Sequence, residues 1–267
     1  MLPITAIVVT YNEAKRLPEC LQSLDFCDEL IVVDLGSTDA TLDIAKSFTS
    51  QTIIIPRVDY GELALIQVLE TARNDWVISQ DPDEVFPEKL IQQLREVISD
   101  ESVAKIITPL KFYFLGKPLE GSVWGGEKYK DRVFNKHKVT ITPLIHQGIK
   151  VKPGFRSATI SFEVDNHIKH YWTDTIGNLF EKHWRYIKNE GKTRYITGKR
   201  FSIKTLLRST YYALVDNLFR YHALKDGVRG IFLSLFYAWY IMMSNLSLFY
   251  YQTFVEKNPR SDDAIIR

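Results

Sequence analysis

Through its first hundred residues the chain alternates short apolar runs with amphipathic stretches. "ITAIVVT" (4–10), "ELIVVD" (29–34), "TIIIP" (52–56) and "WVIS" (76–79) are rich in Ile and Val, the pattern of strands buried on both faces. Between them, near 14–24, 39–48 and 62–73, apolar positions recur at helical spacing. Strand alternating with helix predicts an α/β fold, a mostly parallel Rossmann-like sheet flanked by helices. In such sheets ligands collect beyond the carboxyl ends of the strands, where crossover loops and helix N-termini open.

Three of these strands end in polar residues. The first leads into Thr10, Tyr11, Asn12 and Glu13, the second into Asp34, Gly36, Ser37, Thr38 and Asp39, and the fourth into Asp81, Pro82, Asp83 and Glu84. In "DLGSTDAT" Gly36 permits a tight turn, and Ser37, Thr38 or Asp39 can cap the helix that follows. Capping is the role expected of Asp39. Asp34 has two readings: a carboxylate for a base or ribose, or a second acid that stabilises the turn. If "DPDE" is extended, Asp81 and Asp83 point the same way and repel. A hard divalent cation, Mg²⁺ or Mn²⁺, would relieve that conflict. The alternative is a polar strand end with Asp83 or Glu84 opening the helix at "FPEKL". An EF-hand is excluded by the missing glycine and distal glutamate.

Composition adds a few exclusions. At 267 residues, 45% hydrophobic and 13% aromatic, the chain is not a disordered one, and 34 basic against 32 acidic side chains leave the overall charge uninformative. Cys20 and Cys27 have neither zinc-type nor redox-type spacing and read as small buried apolar residues. "MLPITAIVVTYNE" lacks a basic region and a small-residue cleavage site, so it reads as a first strand and folding is expected to begin in the cytoplasm.

The C-terminal third departs from this balance. From Lys182 to Arg229 there are twelve Lys and Arg against three acids, Glu190, Asp216 and Asp226. The uncharged, aromatic segment 230–255 follows. It is long enough to span a bilayer, but Ser234, Ser244, Asn245, Ser247 and Gln252 lower its hydrophobicity. Three readings stand: a span, an in-plane helix hairpin dipping into the cytoplasmic leaflet against anionic headgroups, and a helix packed on the soluble domain or in a dimer interface. The in-plane reading is favoured. Nucleic-acid binding is not expected, because the basic stretch carries no recognisable module for it.

Taken in order, "VVTYNEAKRLPECLQSL", "DELIVVDLGSTDATLDIAKSF" and "NDWVISQDPDE" resemble the motifs of family 2 glycosyltransferases with the GT-A fold, and more narrowly the lipopolysaccharide core β-glucosyltransferase group. The resemblance covers residues 4 to about 190 and is weakest in the middle. It implies an enzyme, a metal-dependent inverting glycosyltransferase that moves a sugar from a nucleotide-diphosphate sugar, with UDP the favoured nucleotide. Thr10, Tyr11, Asn12, Glu13 and Asp34 would surround the nucleoside. Asp81 and Asp83 would hold Mg²⁺ or Mn²⁺ on the diphosphate. The family's general base follows the metal motif, which makes Glu127 and Asp131 the candidates, with Glu127 nearer to where relatives carry an acid. Arg132, in "RVFNK", matches an arginine suited to phosphate, and His146, in "LIHQG", matches a histidine that touches metal, donor or acceptor.

The resemblance also implies a lipid-linked or lipopolysaccharide acceptor and a place on the cytoplasmic face of the inner membrane, peripheral or monotopic. Departures from the family pattern are Leu65 and Ile66 where an arginine and an asparagine are usual, Gln147 in the His-Glu pair, and Leu35 in the commoner "DDGS". Arg73 or Lys128 are the substitutes that suggest themselves for the arginine. The departures keep open an alternative, a degenerate homologue acting as a scaffold in glycan assembly. The expected organisation is a catalytic domain over 1–175 and a basic, aromatic helical extension over 176–267.

Overall fold

The computed structural model describes residues 1–58, 61–141 and 149–255. The chain forms two compact units. The first comprises Met1–Lys111 and Glu127–Trp172, and the second comprises Phe112–Gly126 and the chain from Thr173 onward.

In the first unit the expected alternation is present: β1 (Leu2–Thr10), α1 (Leu17–Gln22), β2 (Cys27–Asp34), α2 (Thr41–Phe48), β3 (Thr52–Ile54), α3 (Gly61–Val68) and β4 (Trp76–Gln80). The strands lie in the order β3-β2-β1-β4, and all three pairings are parallel. Nearly every residue of β1 is buried, as a strand covered on both faces requires. Ile7, Ile31, Val33 and Val77 share one apolar core with Ala64, Leu65 and Val68 of α3. Leu65, where the family pattern has an arginine, is therefore a core residue.

Beyond β4 the sheet becomes mixed. β5 (Glu84–Val85) and α4 (Glu88–Val97) precede β6 (Val103–Phe114), then β7 (Lys117–Pro118) and β8 (Lys128–Asn135). β8 lies between β4 and β6, antiparallel to both. β9 (Val139–Ile141) and β10 (Ile149–Val151) pair with each other, β11 (Arg156–Thr159) adds to β6, and β12 (Ile168–Thr173) runs antiparallel to β5. The result is the expected α/β sheet flanked by helices, parallel through β3-β2-β1-β4, with an antiparallel addition that the apolar pattern did not announce. Both cysteines are buried and free, as expected.

At the amino end of the strands Glu29 organises a separate polar cluster. Its carboxylate accepts from Thr5 Oγ1 (2.6 Å), the Arg73 amide (2.7 Å) and Gln51 Nε2 (3.1 Å). Burial alone would raise its pKa, but these donors hold it below the ordinary value. The Arg73 guanidinium bonds Asp28 here, at the opposite end of the sheet from the expected crevice. It cannot replace the family arginine.

The second unit is helical: α5 (Ile176–Ile196), α6 (Ile203–Val215) and α7 (Val228–Tyr250), the last continuing as a wider turn over Tyr251–Val255. Thr175 and Ser202 cap α5 and α6 by accepting the amides of Asn178 and Thr205. α7 packs against both helices. Gly191 of α5 approaches the Ser247 backbone so closely that an added Cβ would lie 2.4 Å from its carbonyl oxygen.

The polar residues that diluted the apolar segment all find partners in this unit. Ser234 accepts from Asn217, Ser244 donates to Glu190, Asn245 donates to Ser209, Ser247 donates to the Ile187 carbonyl, and Gln252 accepts the Phe201 amide. They bind helix to helix, so 39% of the most apolar window of Val228–Phe254 is buried although its mean hydropathy of 1.4 is high enough for a span. The loop before β8 is held within the same unit: Asp226 accepts the amides of Glu120 and Gly121, and Asn217 accepts that of Val123.

Candidate functional site

The loops after β1 and β2 are stitched together at the carboxyl edge of the sheet. Asn12 adopts a left-handed φ of 53°, donates its amide to Ser37 Oγ (2.9 Å) and accepts the Thr38 amide on Oδ1 (2.8 Å). The Glu13 amide donates to Thr41 Oγ1. Asp39 accepts the amides of Thr41 and Ala14, but it precedes Ala40, the N-cap of α2, which carries no side-chain cap. Asp34 is 1% exposed and accepts from the amides of Gly36 and Ser37 and from the Ser37 hydroxyl. Of its two readings the turn-stabilising one is realised, and Gly36, at φ 80°, makes that turn. The Tyr11 ring carries the Arg57 guanidinium 4.1 Å from its centroid. Arg57, just past β3, is the cation at this edge that sequence reasoning missed. The clue was its place at a strand end.

The acidic run departs from the extended form expected of it. Asp81 to Glu84 make a turn, closed by the Glu84 amide donating to the Asp81 carbonyl (3.2 Å). Asp81 and Asp83 therefore do not converge as alternate residues of a strand would. Neither Asp83 nor Glu84 opens α4, which begins at Glu88 after Pro87.

Three cations meet the run instead. Lys130 Nζ donates to Asp81 Oδ2 (2.6 Å) and also to Glu84 Oε1, and Arg132 Nη1 donates to Asp81 Oδ1 (3.2 Å). Lys130 and Arg132 alternate along β8, so they share a face. Asp131, between them, points the other way and pairs with Lys105 (3.0 Å). His170 reaches the run because β12 pairs with β5, setting it opposite Glu84. Its Nδ1 lies 3.0 Å from Glu84 Oε1 and its Nε2 3.3 Å from Asp83 Oδ2.

These contacts set the charges. Burial would raise the Asp81 pKa, but Arg132 and Lys130 hold it far below the carboxylate range. Burial would lower that of Lys130, but Asp81 and Glu84 hold it above its ordinary value, and Arg132 is raised likewise. His170 is pushed up to about 9, against the effect of its burial, by Asp83 and Glu84. The donor set suits a hard ion, with two aspartates and a buried glutamate in one turn. As the side chains stand, however, both Asp81 oxygens face cations, and among the described residues no group of three His, Cys, Asp or Glu could hold a metal. A divalent ion reaches Asp81 only if Lys130 moves.

Two polar side chains beside this run lack partners. Thr10 and Gln80, each 2% exposed, end the adjacent strands β1 and β4, and Thr10 Oγ1 and both polar atoms of the Gln80 amide make no hydrogen bond among the described residues. Buried polar atoms are rarely left so. Gln80 was not among the expected site residues. Of the expected base candidates, Glu127 is exposed at the start of β8, and Asp131 is committed to Lys105. His146 lies outside the described residues.

The model for glycosyl transferase family 2 matches residues 5–149. Among relatives, an uncharacterized glycosyltransferase of Rickettsia bellii is 23% identical over 205 residues, covering 74% of this chain and 69% of that protein. The lipopolysaccharide core biosynthesis glycosyltransferase LpsC of Rhizobium meliloti is 31% identical over 109 residues, covering 38% of this chain and 40% of that protein. Mycobacterium tuberculosis glucosyl-3-phosphoglycerate synthase, solved with Mg²⁺ and uridine diphosphate, aligns at 20% identity and a TM-score of 0.36 over 50% of this chain and 56% of that one. The chain thus spans about two fifths of LpsC and a little over half of the synthase. The family match runs from the first strand past β8, through the stitched loops and the acidic turn together, and the chain belongs to glycosyl transferase family 2.

Proposed function

We propose that the chain transfers a sugar from a nucleotide-diphosphate donor, UDP being the favoured nucleotide, to a lipid-linked or surface-glycan acceptor, with inversion at the anomeric carbon. The observation that carries the donor reading is the pair of buried, unpartnered polar side chains, Thr10 and Gln80, beside the acidic turn at the carboxyl edge of the sheet. Tyr11 and Arg57 offer a flat cationic face to a nucleoside or its phosphates. A divalent ion, Mg²⁺ or Mn²⁺, would be held by Asp83 and Asp81 and supplies Lewis-acid stabilisation of the charge on the departing diphosphate. Lys130 and Arg132 add positive charge on the same side. Glu127 is the preferred base for the acceptor hydroxyl, since Asp131 is turned to the other face of β8.

A panel of nucleotide sugars in a thermal-shift assay tests this reading. A donor at a hundred times its Kd stabilises the folded chain by about 2.7 kcal/mol, so one nucleotide should raise Tm by several degrees and the others should not. No shift with any member of the panel would remove the donor reading. A scaffold without catalysis is the second reading, favoured by Leu65 in the core and by the Asp34 carboxylate being consumed in its own turn. Hydrolysis or transfer of a stabilising donor by the purified protein rules it out.

Membrane association belongs to the same proposal and rests on the second unit. Ile203, Leu207 and Tyr211 recur every fourth residue along α6 and are 68%, 66% and 61% exposed, with the exposed Lys204 and Arg208 beside them. An apolar stripe edged by cations suits an anionic bilayer surface, with the helix lying in its plane. The protein should sediment with vesicles containing anionic lipid, and replacing the three stripe residues by Ser should release most of it. Full recovery of the unaltered chain in the supernatant would defeat the assignment.

A further inference from the structure

Asp81 is engaged on both oxygens: Lys130 Nζ lies 2.6 Å from one and Arg132 Nη1 3.2 Å from the other. The same ammonium also bonds Glu84, whose side chain is fully buried, while that of Lys130 is only 18% exposed. With Asp83 and His170 the turn sets three carboxylates against three cations, two of which, Lys130 and Arg132, are fixed at alternate positions of one strand. A divalent ion arriving alone would have to break the ammonium–carboxylate contact and then sit, doubly charged, beside two confined cations that had lost a counter-charge. Both changes oppose binding. A divalent ion arriving on a nucleotide diphosphate brings the phosphate oxygens with it. Those oxygens can take over the ammonium that Asp81 releases, so no positive charge is left unmatched.

We propose that Lys130 guards the acidic turn: its ammonium occupies Asp81 in the donor-free chain, keeps a divalent ion from binding by itself, and passes to the diphosphate when the metal–nucleotide complex enters. Metal and nucleotide therefore bind together. The inference rests on the donor reading given above, but it concerns which cation Asp81 holds before the donor arrives. Arg132, which contacts only Asp81 in this cluster, stays as the fixed cation. Asp131, between them on β8 but bonded to Lys105 on the far face, takes no part.

Mn²⁺ binding followed by electron paramagnetic resonance reads this without any need for turnover. For the unaltered chain, free Mn²⁺ should bind at least tenfold more weakly without UDP than with it. Lys130→Met should bind Mn²⁺ without nucleotide at least tenfold more tightly than the unaltered chain does, and should lose at least tenfold in UDP affinity. Lys130→Arg, which keeps the charge, should restore exclusion of the free ion. Equal Mn²⁺ affinity with and without UDP in the unaltered chain would overturn the proposal, and that measurement needs no variant to fold. Unchanged Mn²⁺ binding in a folded Lys130→Met chain would overturn it as well. UDP titrated into the same samples separates the two levels. If UDP fails to bind under every metal condition the donor reading falls, whereas the gain of free-ion binding in Lys130→Met still stands or falls by itself.

Discussion

Asp83→Ala is expected to fold and to lose sugar transfer by about 10²- to 10³-fold, the scale on which removing one electrostatic stabiliser of a developing negative charge acts. Asp83 is one of the two aspartates proposed above to hold the metal. Asp81 is bonded on both oxygens to Lys130 and Arg132, and Glu84 lies fully buried between Lys130 and His170. The Asp83 side chain is 15% exposed, with Oδ2 3.3 Å from His170. Its backbone carbonyl accepts the Tyr171 amide at 2.8 Å, a contact that Ala preserves. Product formation from the donor found in the nucleotide panel, alongside calorimetric titration with UDP and Mn²⁺, measures the effect. Transfer and heats equal to those of the unaltered chain would remove the metal from Asp83. Loss of both together with a lowered Tm would instead make Asp83 a structural residue.

The half of the fold that could be read from the chain was the half in which burial is two-sided. Ile and Val dominate 4–10 and 29–34, because both faces of those strands are covered. β6 and β8 gave no comparable signal: "VAKIITPLKFYF" and "KYKDRVFN" mix lysine with aromatic residues, and β6 even contains Pro109. Antiparallel strands of this mixed composition carry their information in pairing partners far away in sequence. α1 came out as Leu17–Gln22, not 14–24, because the residues ahead of it are held by hydrogen bonds to the loop after β2.

For the site the division is similar. The acidic turn was visible as a cluster of charge, and its geometry was misjudged because an alternating rule was applied to residues that turn. What neutralises it was not visible: His170 reaches Glu84 through a pairing that spans more than eighty positions, and Lys130 comes from a strand that the apolar pattern did not show. One local signal did exist. Lys130 and Arg132 two apart, with Asp131 between them, already implied that the cations and the acid face opposite ways if the segment is a strand. In the C-terminal segment the polar residues were visible and their meaning was not, because Ser244 bonds Glu190 and Asn245 bonds Ser209 and Arg194, all on other helices.

Glu84→Ala should destabilise the first unit by about 3–5 kcal/mol, the usual cost of removing one partner from a buried ion pair and leaving the other charge behind. Two cations lose a partner at once, since Glu84 Oε1 faces both Lys130 and His170. Glu84→Gln keeps the shape and one acceptor and should fall between the two. Chemical denaturation monitored by the intrinsic fluorescence of Trp76 and Trp172, both in this unit, gives the comparison, and a loss below 1 kcal/mol would mean that the contact contributes little. The pH dependence separates charge from packing. His170 has a folded pKa raised to about 9 by Asp83 and Glu84, so its contribution is fully present below the unfolded value of about 6.5 and is lost as pH rises through 9. Asp81 is shifted the opposite way by Arg132 and Lys130, so its contribution is present above about 3.9 and is lost as pH falls. The unaltered chain should therefore lose stability between pH 7 and 10 more steeply than Glu84→Ala, in which His170 keeps only Asp83 as an acidic partner in the turn. Parallel pH profiles for the two proteins would show that Glu84 acts by filling space and not by its charge.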